Sequence, residues 1–476
     1  MAKKFYITTT LPYVNADPHI GFALEIIQAD VIARHQRQLG DEVVFNTGTD
    51  EHGVKIYRKA LEAKQDPQVY ADIYAAKFDH LKQALNLSYT NFIRTTDDNH
   101  KKAAAEFWQL CVKNGDIEKK ISKINYCSGC ELEKTASELV DGCCPNHPNL
   151  KLEIIEEENY FFKFSRYAKP LLEFYEKNPD FVVPDFRFNE IKKFVQSGLN
   201  DFSISRLKQK MPWGIPVPND SDHVMYVWFD ALINYISTLG WPKAKANFKK
   251  FWPGVQVAGK DNLRQQSAMW QAMLMSAGLP NSKKIFIHGF IVSGNQKMSK
   301  SLGNVVNPFE LVEKYGTDAL RYYLLRHINP FEDSDFTIDK FEQAYTADLS
   351  NGLGNLVSRV AGLIEQSGIS IKQDKQDKQD KQCDKLIQGF LFDQALKYIW
   401  EKISKIDGLI AQTKPWVLAK EGKTKELEKV LLQALDGILE ISHLLVPFLP
   451  QTAEKIEKIF TAEVIKKGEP LFPRLS

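Results

Sequence analysis

Four cysteines and a histidine lie close together in an arrangement that suits a metal ion. Cys127 and Cys130 form a C-x2-C pair, and Cys144 and His147 form a second pair in the run CCPNH, where Cys143 is an adjacent competitor. A two-residue gap lets each pair chelate one ion, and three thiolates with one imidazole satisfy tetrahedral zinc in a closed site. The spacing therefore predicts one structural Zn²⁺ that stabilises its surroundings and takes no part in chemistry.

Two further segments carry groups that could act on a phosphate. Pro18-His19-Ile20-Gly21 follows a β-rich run and opens a helical one, so that His19 and the helix N-terminus offer donors while Gly21 lets a nucleotide approach. Lys297 and Lys300 lie in KMSKS after the strand-like KIFIHGFIV, and both could neutralise charge developing on a phosphoryl group. Taken singly, the segments also fit a capped helix start and a solvated basic loop. Together they favour a phosphate site.

The elements around these groups predict an α/β fold, in which a Rossmann-like doubly wound parallel sheet carries a zinc-binding insertion and is followed by a C-terminal α-helical bundle. KFYITTTLPYV and DEVVFNTGT read as strands, and ALEIIQADVIARHQRQLG reads as the helix between them. Strand signals disappear after about residue 345. The expected regions are 1–117, the first half of the sheet; 118–225, the insertion; 226–295, the second half; 296–345, the lysine loop and a stem-contact region; and 346–476, the bundle.

Composition excludes several classes of protein. The chain has 476 residues and is 43% hydrophobic, which suits about three packed domains and not a disulfide-stapled module or a disordered chain. With 62 Lys and Arg against 60 Asp and Glu, it is not a basic nucleic-acid coat, so a nucleic acid would have to meet local patches. No leader and no long apolar run is seen, which predicts a cytoplasmic protein without a membrane partner.

The His-Ile-Gly turn and the Lys-Met-Ser-Lys-Ser loop together resemble class I aminoacyl-tRNA synthetases. Further stretches narrow the resemblance to the methionyl-tRNA synthetase family, namely LPYVNADPHIG, FNTGTDEHG, VWFDALINY, VAGKDN, HGFIVSGNQKMSKSLGN and PLFPR. It spans essentially the whole chain. The resemblance implies methionine activation by ATP with Mg²⁺, followed by transfer of the methionyl group to tRNA(Met). It also selects Cys144 over Cys143 as the metal ligand.

The resemblance assigns roles to individual positions. The implied catalytic residues are His19, Lys297 and Lys300. Those implied for ATP are Gly21, Arg206, Gly259, Asp261, His288, Gly289 and Lys300. Those implied for methionine are Leu11, Tyr13, Asp50, Trp228, Ala231, Tyr235 and Gln266, among which Asp50 can pair with the ammonium and the aromatic rings can hold a thioether. Asn351, Asn355, Arg359 and Trp416 are implied for the CAU anticodon.

Two positions depart from the family pattern. Phe22 stands where the family has a second histidine and cannot donate to ATP, so His19, the lysines and Mg²⁺ would do more of that work. Gln266 stands near the family's other pocket histidine, and its amide can donate a hydrogen bond but cannot become cationic. The sequence ends at PLFPRLS without the oligonucleotide-binding extension of some relatives, so we expect a monomer.

Two alternatives stay open at this point. The first is another class I synthetase, for leucine, isoleucine, valine or cysteine. Large editing domains do not fit the insertion of roughly 110 residues, and in the cysteine enzymes the zinc binds substrate. The second, suggested by Phe22, is a tRNA-binding module whose catalytic half is inert. Intact Lys297, Lys300 and Asp50 speak against it.

Overall fold

The computed structural model describes residues 2–129, 132–134, 139–145, 147–294, 296–297, 305–369 and 379–475. Two of the predicted site residues, Cys130 and Lys300, lie outside the described residues. For Lys297 only the backbone is described.

A six-stranded, all-parallel sheet forms the centre of the first two thirds of the chain. Its strands, in spatial order, are Asn91–Arg94, Glu42–Thr49, Lys4–Thr9, Val255–Gly259, Lys284–His288 and Val182–Val183. The order reverses between the third and fourth of these strands, and ligands of such sheets bind beyond the carboxyl ends at that reversal. The predicted doubly wound sheet is confirmed.

Helices cover both faces of the sheet. Ile20–Gln38 follows the first strand and is buried along most of its length, and Gly40, with φ of +86°, ends its last turn. The other helices of the two halves are Val54–Glu62, Pro67–Asp79, Leu81–Ala84, Asp98–Lys113, Val227–Leu232, Asn234–Ser237, Lys245–Phe251, the 3-10 turn Lys260–Asn262, the π-helix Gln265–Met269, and Trp270–Ser276.

Two smaller sheets lie between the halves of the main sheet in sequence. One is antiparallel, with strands Leu132–Glu133, Ile117–Cys127, Glu153–Phe162 and Phe202–Ser203; the other has Pro216–Val217, Asp220–Met225 and Ser205–Leu207. The helices here are Phe164–Tyr167 (3-10), Ala168–Lys177 and Asp185–Gln196. Residues Val182–Val183, within the predicted insertion 118–225, are an edge strand of the main sheet. The region boundaries stay a prediction.

The chain after the main sheet is largely helical. It includes a small three-stranded sheet of Gln296–Lys297, Ile291–Ser293 and Ser334–Asp335, whose last strand follows the first two helices of this region. The helices are Pro308–Tyr315, Thr317–Arg326, Ile338–Ala344, the π-helix Tyr345–Gly354, Asn355–Ser367, Lys381–Gln388, Phe392–Thr413, Pro415–Lys420, Thr424–Leu445 and Pro450–Phe460. Within the described ranges no strand follows Asp335, and no helix has the combined length and apolarity for a membrane crossing.

A fully buried ion pair joins the first helix to the helical region. Arg321 Nη2 lies 2.8 Å from Asp30 Oδ2, and both side chains have no exposed surface. The same guanidinium donates to the carbonyl oxygens of Leu85, Pro447 and Phe448 at 3.1, 3.0 and 2.7 Å. The sheet and the bundle therefore meet at a polar contact that is satisfied on every side.

Candidate functional site

The start of the first helix lies at the carboxyl end of the first strand. His19 caps this helix, and its Nδ1 accepts a hydrogen bond from the Gly21 N–H at 3.0 Å, so the neutral ring carries its proton on Nε2. The imidazole is exposed. Phe22 packs edge-on against Phe78, with ring centroids 5.4 Å apart. The apolar ring that stands at the family's histidine position is thus a packing residue, and His19 offers a side-chain N–H, on Nε2, at this turn.

Glu25 links three parts of the sheet's carboxyl edge and was not predicted from the sequence. Its Oε1 accepts from the Thr10 N–H at 2.7 Å and from the Thr10 hydroxyl at 2.5 Å, and its Oε2 lies 3.0 Å from His288 Nε2. His288 Nδ1 faces the Gly289 carbonyl oxygen at 2.7 Å, so both ring nitrogens face acceptors. Burial lowers the pKa of His288, but Glu25 outweighs this, and the net pKa is raised. The buried ring therefore favours the imidazolium form.

Two glycines predicted for ATP line the same edge. Gly259 ends the fourth strand and Gly289 follows the fifth. A Cβ on Gly289 would lie 2.2 Å from the Glu332 carbonyl oxygen, so only glycine fits there. Asp261 follows Gly259 in a 3-10 turn. The structure therefore places Gly259, Asp261, His288 and Gly289 at the ends of two adjacent strands.

The residues predicted for methionine come together beside this edge. Tyr13 and Asp50 pair in a parallel bridge, and the Asp50 N–H donates to the Pro12 carbonyl oxygen at 3.0 Å. The Tyr13 and Trp228 rings meet edge-on at 6.5 Å. Deeper in the protein, Gln266 Nε2 donates to the Tyr235 hydroxyl at 2.7 Å. Burial raises the pKa of Tyr235, and the negative charge of Asp50 adds to this rise. Ala231 is buried on the helix Val227–Leu232, which also carries Trp228, and Leu11 is half-buried.

A buried carboxylate between two histidines holds this pocket together. Asp230 Oδ2 lies 2.7 Å from His52 Nδ1, and Oδ1 lies 2.7 Å from His100 Nε2. The other nitrogen of His100 lies 2.9 Å from the Ser237 hydroxyl. Burial would raise the pKa of Asp230, but the two histidines lower it to about 2. This ionised carboxylate therefore ties the loop after Asp50 to the helix that carries Ala231.

Arg206, on the strand Ser205–Leu207 of the insertion, faces the same cluster of rings. Arg206 is buried, its Nη1 donates to the Ser203 hydroxyl and the Ser205 carbonyl oxygen at 2.7 Å, and its guanidinium lies 4.1 Å from the Tyr226 ring centroid. Among the described residues its Nη2 has no hydrogen-bond partner. Tyr226 packs with Trp228 in one cluster. An anion that entered here would find an unsatisfied donor.

The predicted metal ligands converge where they are described. The ligand atoms of Cys127, Cys144 and His147 all lie within 4.8 Å of one another, and Cys127 Sγ is 3.8 Å from His147 Nδ1. A Cβ on Gly129 would lie 2.4 Å from the His147 ring, so the chain can pass the imidazole this closely only as glycine. Two thiolates and an imidazole at this spacing supply three of the four ligands of a tetrahedral ion, and Cys130, the fourth predicted ligand, lies outside the described residues.

The segment that carries the predicted metal ligands Cys127, Cys144 and His147, here called the knuckle, also contacts the predicted methionine pocket. Lys55 Nζ donates to the Gly129 carbonyl oxygen at 2.7 Å and lies 5.3 Å from the Tyr13 ring centroid. Tyr126, one residue before Cys127, belongs with Tyr226 and Val227 to the buried cluster against which Tyr13 packs. The metal-binding segment is therefore part of the wall of the predicted methionine site.

The predicted anticodon residues lie on adjoining helices. Asn351 and Asn355 are exposed, on the π-helix and on the helix that follows it, and Arg359 is half-buried with Nη1 3.5 Å from Asp407 Oδ1. Trp416 is 44% exposed on the helix Pro415–Lys420, which contacts Asn355–Ser367. Asn351, Asn355 and Trp416 are therefore exposed side chains, and the helices that carry Asn355 and Trp416 are in contact.

Comparison with known proteins identifies the family of this chain. Residues 5–153 and 149–361 match the family described as tRNA synthetases class I (M). The chain belongs to this family. The methionine–tRNA ligase of Thermotoga maritima is 41% identical over 508 aligned positions, covering 99% of this chain and 80% of the relative. That of Caldanaerobacter subterraneus subsp. tengcongensis is 40% identical, covering 100% and 79%.

Solved structures agree with this membership. The Mycobacterium tuberculosis methionyl-tRNA synthetase in complex with methionyl-adenylate superposes with a TM-score of 0.91 at 35% identity, over 96% of this chain and 94% of that one. A second structure of that protein, bound by methionyl-adenylate, gives a TM-score of 0.90 at 32% identity, over 100% and 99%.

The Glu25–His288 pair makes stability depend on pH. Because folding raises the pKa of His288, protonation stabilises the fold below the unfolded pKa of about 6.5, and this contribution is lost as pH rises through the folded pKa. In Glu25→Gln, burial would instead lower that pKa. We expect urea titrations to show a loss of about 1–3 kcal/mol in unfolding free energy at about pH 5.5, and a smaller loss at about pH 9. Glu62→Gln, at an exposed carboxylate, is the control; an equal loss from Glu25→Gln at both pH values would contradict the prediction.

The knuckle geometry predicts which cysteine holds the metal. We expect elemental analysis of the purified protein to find about one equivalent of a divalent metal ion. Cys144→Ser should lose it, because Cys144 is one of the converging ligands. Cys143→Ser is the matched control and should keep the metal, since Cys143 is not in that cluster. Metal retained by the first variant and lost from the second would refute this assignment.

Proposed function

We propose that the chain is a methionine–tRNA ligase, which activates methionine with ATP and transfers the methionyl group to the 3′-terminal ribose of tRNA(Met). Family membership and a similarity to methionine–tRNA ligases that spans 99–100% of this chain support the activity. The observation that carries the proposal is the meeting of His19, Asp50, Gly259 and His288 at one carboxyl edge of a doubly wound sheet. Such an edge binds nucleotides, and Asp50 supplies a carboxylate for an ammonium.

The first step joins the two small substrates. The methionine carboxylate attacks the α-phosphorus of ATP, and pyrophosphate leaves, giving methionyl-adenylate. Asp50 binds the methionine ammonium, and Tyr13 and Trp228 hold the side chain. His19, with Lys297 and Lys300, stabilises charge on the phosphates. Mg²⁺ bound to ATP would add to this neutralisation. No side-chain nucleophile is needed, because positioning and electrostatic stabilisation carry such reactions.

The second step uses the bundle. The terminal ribose hydroxyl of the tRNA attacks the activated carboxyl carbon, and AMP leaves. Asn351, Asn355 and Arg359 are proposed to read anticodon bases by hydrogen bonds, and the exposed indole of Trp416 is proposed to stack on one of them. The metal of the knuckle is proposed to be one structural Zn²⁺. The monomeric state and the cytoplasmic location expected from the sequence stay predictions.

The activity is tested by ATP–pyrophosphate exchange with each standard amino acid in turn, since exchange reports adenylate formation without tRNA. We expect exchange with methionine alone. Exchange with leucine, isoleucine, valine or cysteine in its place would overturn the pocket assignment. ATP binding without any exchange would favour the inert tRNA-binding alternative that Phe22 suggested.

The Asp230 contacts predict a methionine-specific defect. Asp230→Asn removes the charge between His52 and His100 and loosens the loop after Asp50. We expect the KM for methionine in pyrophosphate exchange to rise about tenfold, and the KM for ATP to change less. Asp116→Asn is the matched control, because that carboxylate is also buried and accepts from Tyr167 and Ser276, outside the pocket. A methionine KM that rises equally in both variants, or in neither, would contradict the role given to Asp230.

A further inference from the structure

A chain of buried polar side chains runs behind Tyr235, away from the edge of the sheet. Gln271 Nε2 lies 3.0 Å from the Ser282 Oγ, which lies 2.5 Å from Gln256 Oε1. Gln256 Nε2 lies 3.0 Å from Gln266 Oε1, and Gln266 Nε2 lies 2.7 Å from the Tyr235 Oη. All five side chains are at most 4% exposed. Water therefore does not compete for these hydrogen bonds.

The donor–acceptor direction of this row of hydrogen bonds is fixed by the backbone at the end farthest from Tyr235, at Gln271 and Ser282. The N–H of Ser282 donates to Gln271 Oε1 at 3.0 Å, and a backbone N–H can only donate. Gln271 Nε2 donates to the Gln266 carbonyl oxygen at 2.8 Å, and a carbonyl oxygen can only accept. Both contacts require the same orientation of the Gln271 amide. Its NH₂ group therefore faces Ser282.

Each later link follows from the one before. The Ser282 hydroxyl accepts from Gln271, so its single proton goes to Gln256 Oε1. Gln256 then turns its NH₂ group toward Gln266, which must offer its oxygen. Gln266 consequently turns its NH₂ group toward Tyr235, whose hydroxyl oxygen accepts. The polarity set at the Ser282 backbone is thus transmitted through four side chains, those of Gln271, Ser282, Gln256 and Gln266, to the phenol.

The hydroxyl proton of Tyr235 is left to donate elsewhere. Burial raises the pKa of Tyr235 well above its usual range, against an opposing effect of Gln266, so the proton stays on the oxygen. Both hydrogen-bonding neighbours described for this hydroxyl, Gln266 and Asn234, lower the pKa of Tyr235, as groups that donate to the phenol oxygen do. Gln266 lies in the π-helix Gln265–Met269, and such a local widening is common at functional sites.

We propose that Gln271, Ser282 and Gln256, none of them assigned to the pocket, orient Gln266 so that the Tyr235 hydroxyl donates into the pocket to the thioether sulfur of methionine. The inference rests on the proposed function. Sulfur is a weak acceptor and a methylene group is none, so the three residues are positioning residues for specificity. Their removal should affect the choice between methionine and norleucine, its near-isostere with a methylene in place of sulfur.

The test measures kcat/KM in pyrophosphate exchange for methionine and for norleucine. In Ser282→Ala the Gln256 amide loses the hydroxyl donor that fixes its orientation, so the Gln256 and Gln266 amides can both turn over. In the molecules where Gln266 has turned, its oxygen faces Tyr235, and the Tyr235 hydroxyl donates to Gln266 and not into the pocket. We expect the methionine-to-norleucine ratio to fall roughly two- to tenfold, the size of one weak hydrogen bond. Ser276→Ala is the matched control, because that buried hydroxyl donates to Asp116, which is not part of the hydrogen-bonded row from Gln271 to Tyr235. Its ratio should equal the wild-type ratio.

A double-mutant cycle separates this role from loose packing. In Tyr235→Phe there is no hydroxyl to orient, so adding Ser282→Ala should leave the ratio unchanged. If Ser282→Ala does not fold, Gln256→Met takes its place in the cycle. An unchanged methionine-to-norleucine ratio in Ser282→Ala would overturn this inference but leave the proposed function intact. So would a fall of that ratio by the same factor when Ser282→Ala is added to Tyr235→Phe. Failure of the wild-type protein to exchange with methionine would instead overturn the proposed function, before any variant is compared.

Discussion

The buried pair of Asp30 and Arg321 is the contact on which the relation between sheet and bundle depends. Burial lowers the pKa of Arg321, with Asp30 opposing, and burial raises the pKa of Asp30, which Arg321 and Arg34 turn into a net lowering. Two buried charges are tolerated because each is fully hydrogen-bonded; removal of one partner from such a pair costs about 3–5 kcal/mol. The directional bonds of Arg321 to Leu85, Pro447 and Phe448 leave little freedom for one part to rotate against the other.

The first helix carries this constraint to the site. Its polar side chains meet different regions in order: Glu25 meets the sheet edge, Asp30 meets Arg321, and His35 lies 2.8 Å from Asp384 of the bundle. An α-helix is stiff over such a length, and this one is packed on both sides. A displacement of the bundle would therefore move the helix N-terminus at His19. This gives the proposed anticodon region and the proposed phosphate turn a common rigid element.

The sequence predicted what local rules determine. Strand, turn and helix were recognised from periodicity, and C-x2-C spacing led to the cluster in which Cys144 lies beside Cys127 and His147. It did not predict Glu25, or the carboxylate of Asp230 between His52 and His100, because those partners lie 130 or more positions apart and meet only after the sheet forms. Glu25, His52 and Asp230 lie within the motif segments, but the local pattern of those segments assigns their side chains no partner.

The two departures from the family pattern have different physical meanings. Phe22 packs against Phe78, so its cost is a lost donor at the turn and its gain is buried apolar contact. Gln266 makes the same number of side-chain hydrogen bonds as a neutral imidazole could, since its amide accepts from Gln256 and donates to Tyr235 at the same time. A histidine could do the same only in one tautomer, and protonation would reverse its contact with Gln256. The Gln266 amide, whose orientation is set by a backbone N–H through Gln271, Ser282 and Gln256, keeps its polarity at any pH at which the fold persists. The proposed selection among apolar side chains therefore depends on hydrogen-bond direction and not on charge.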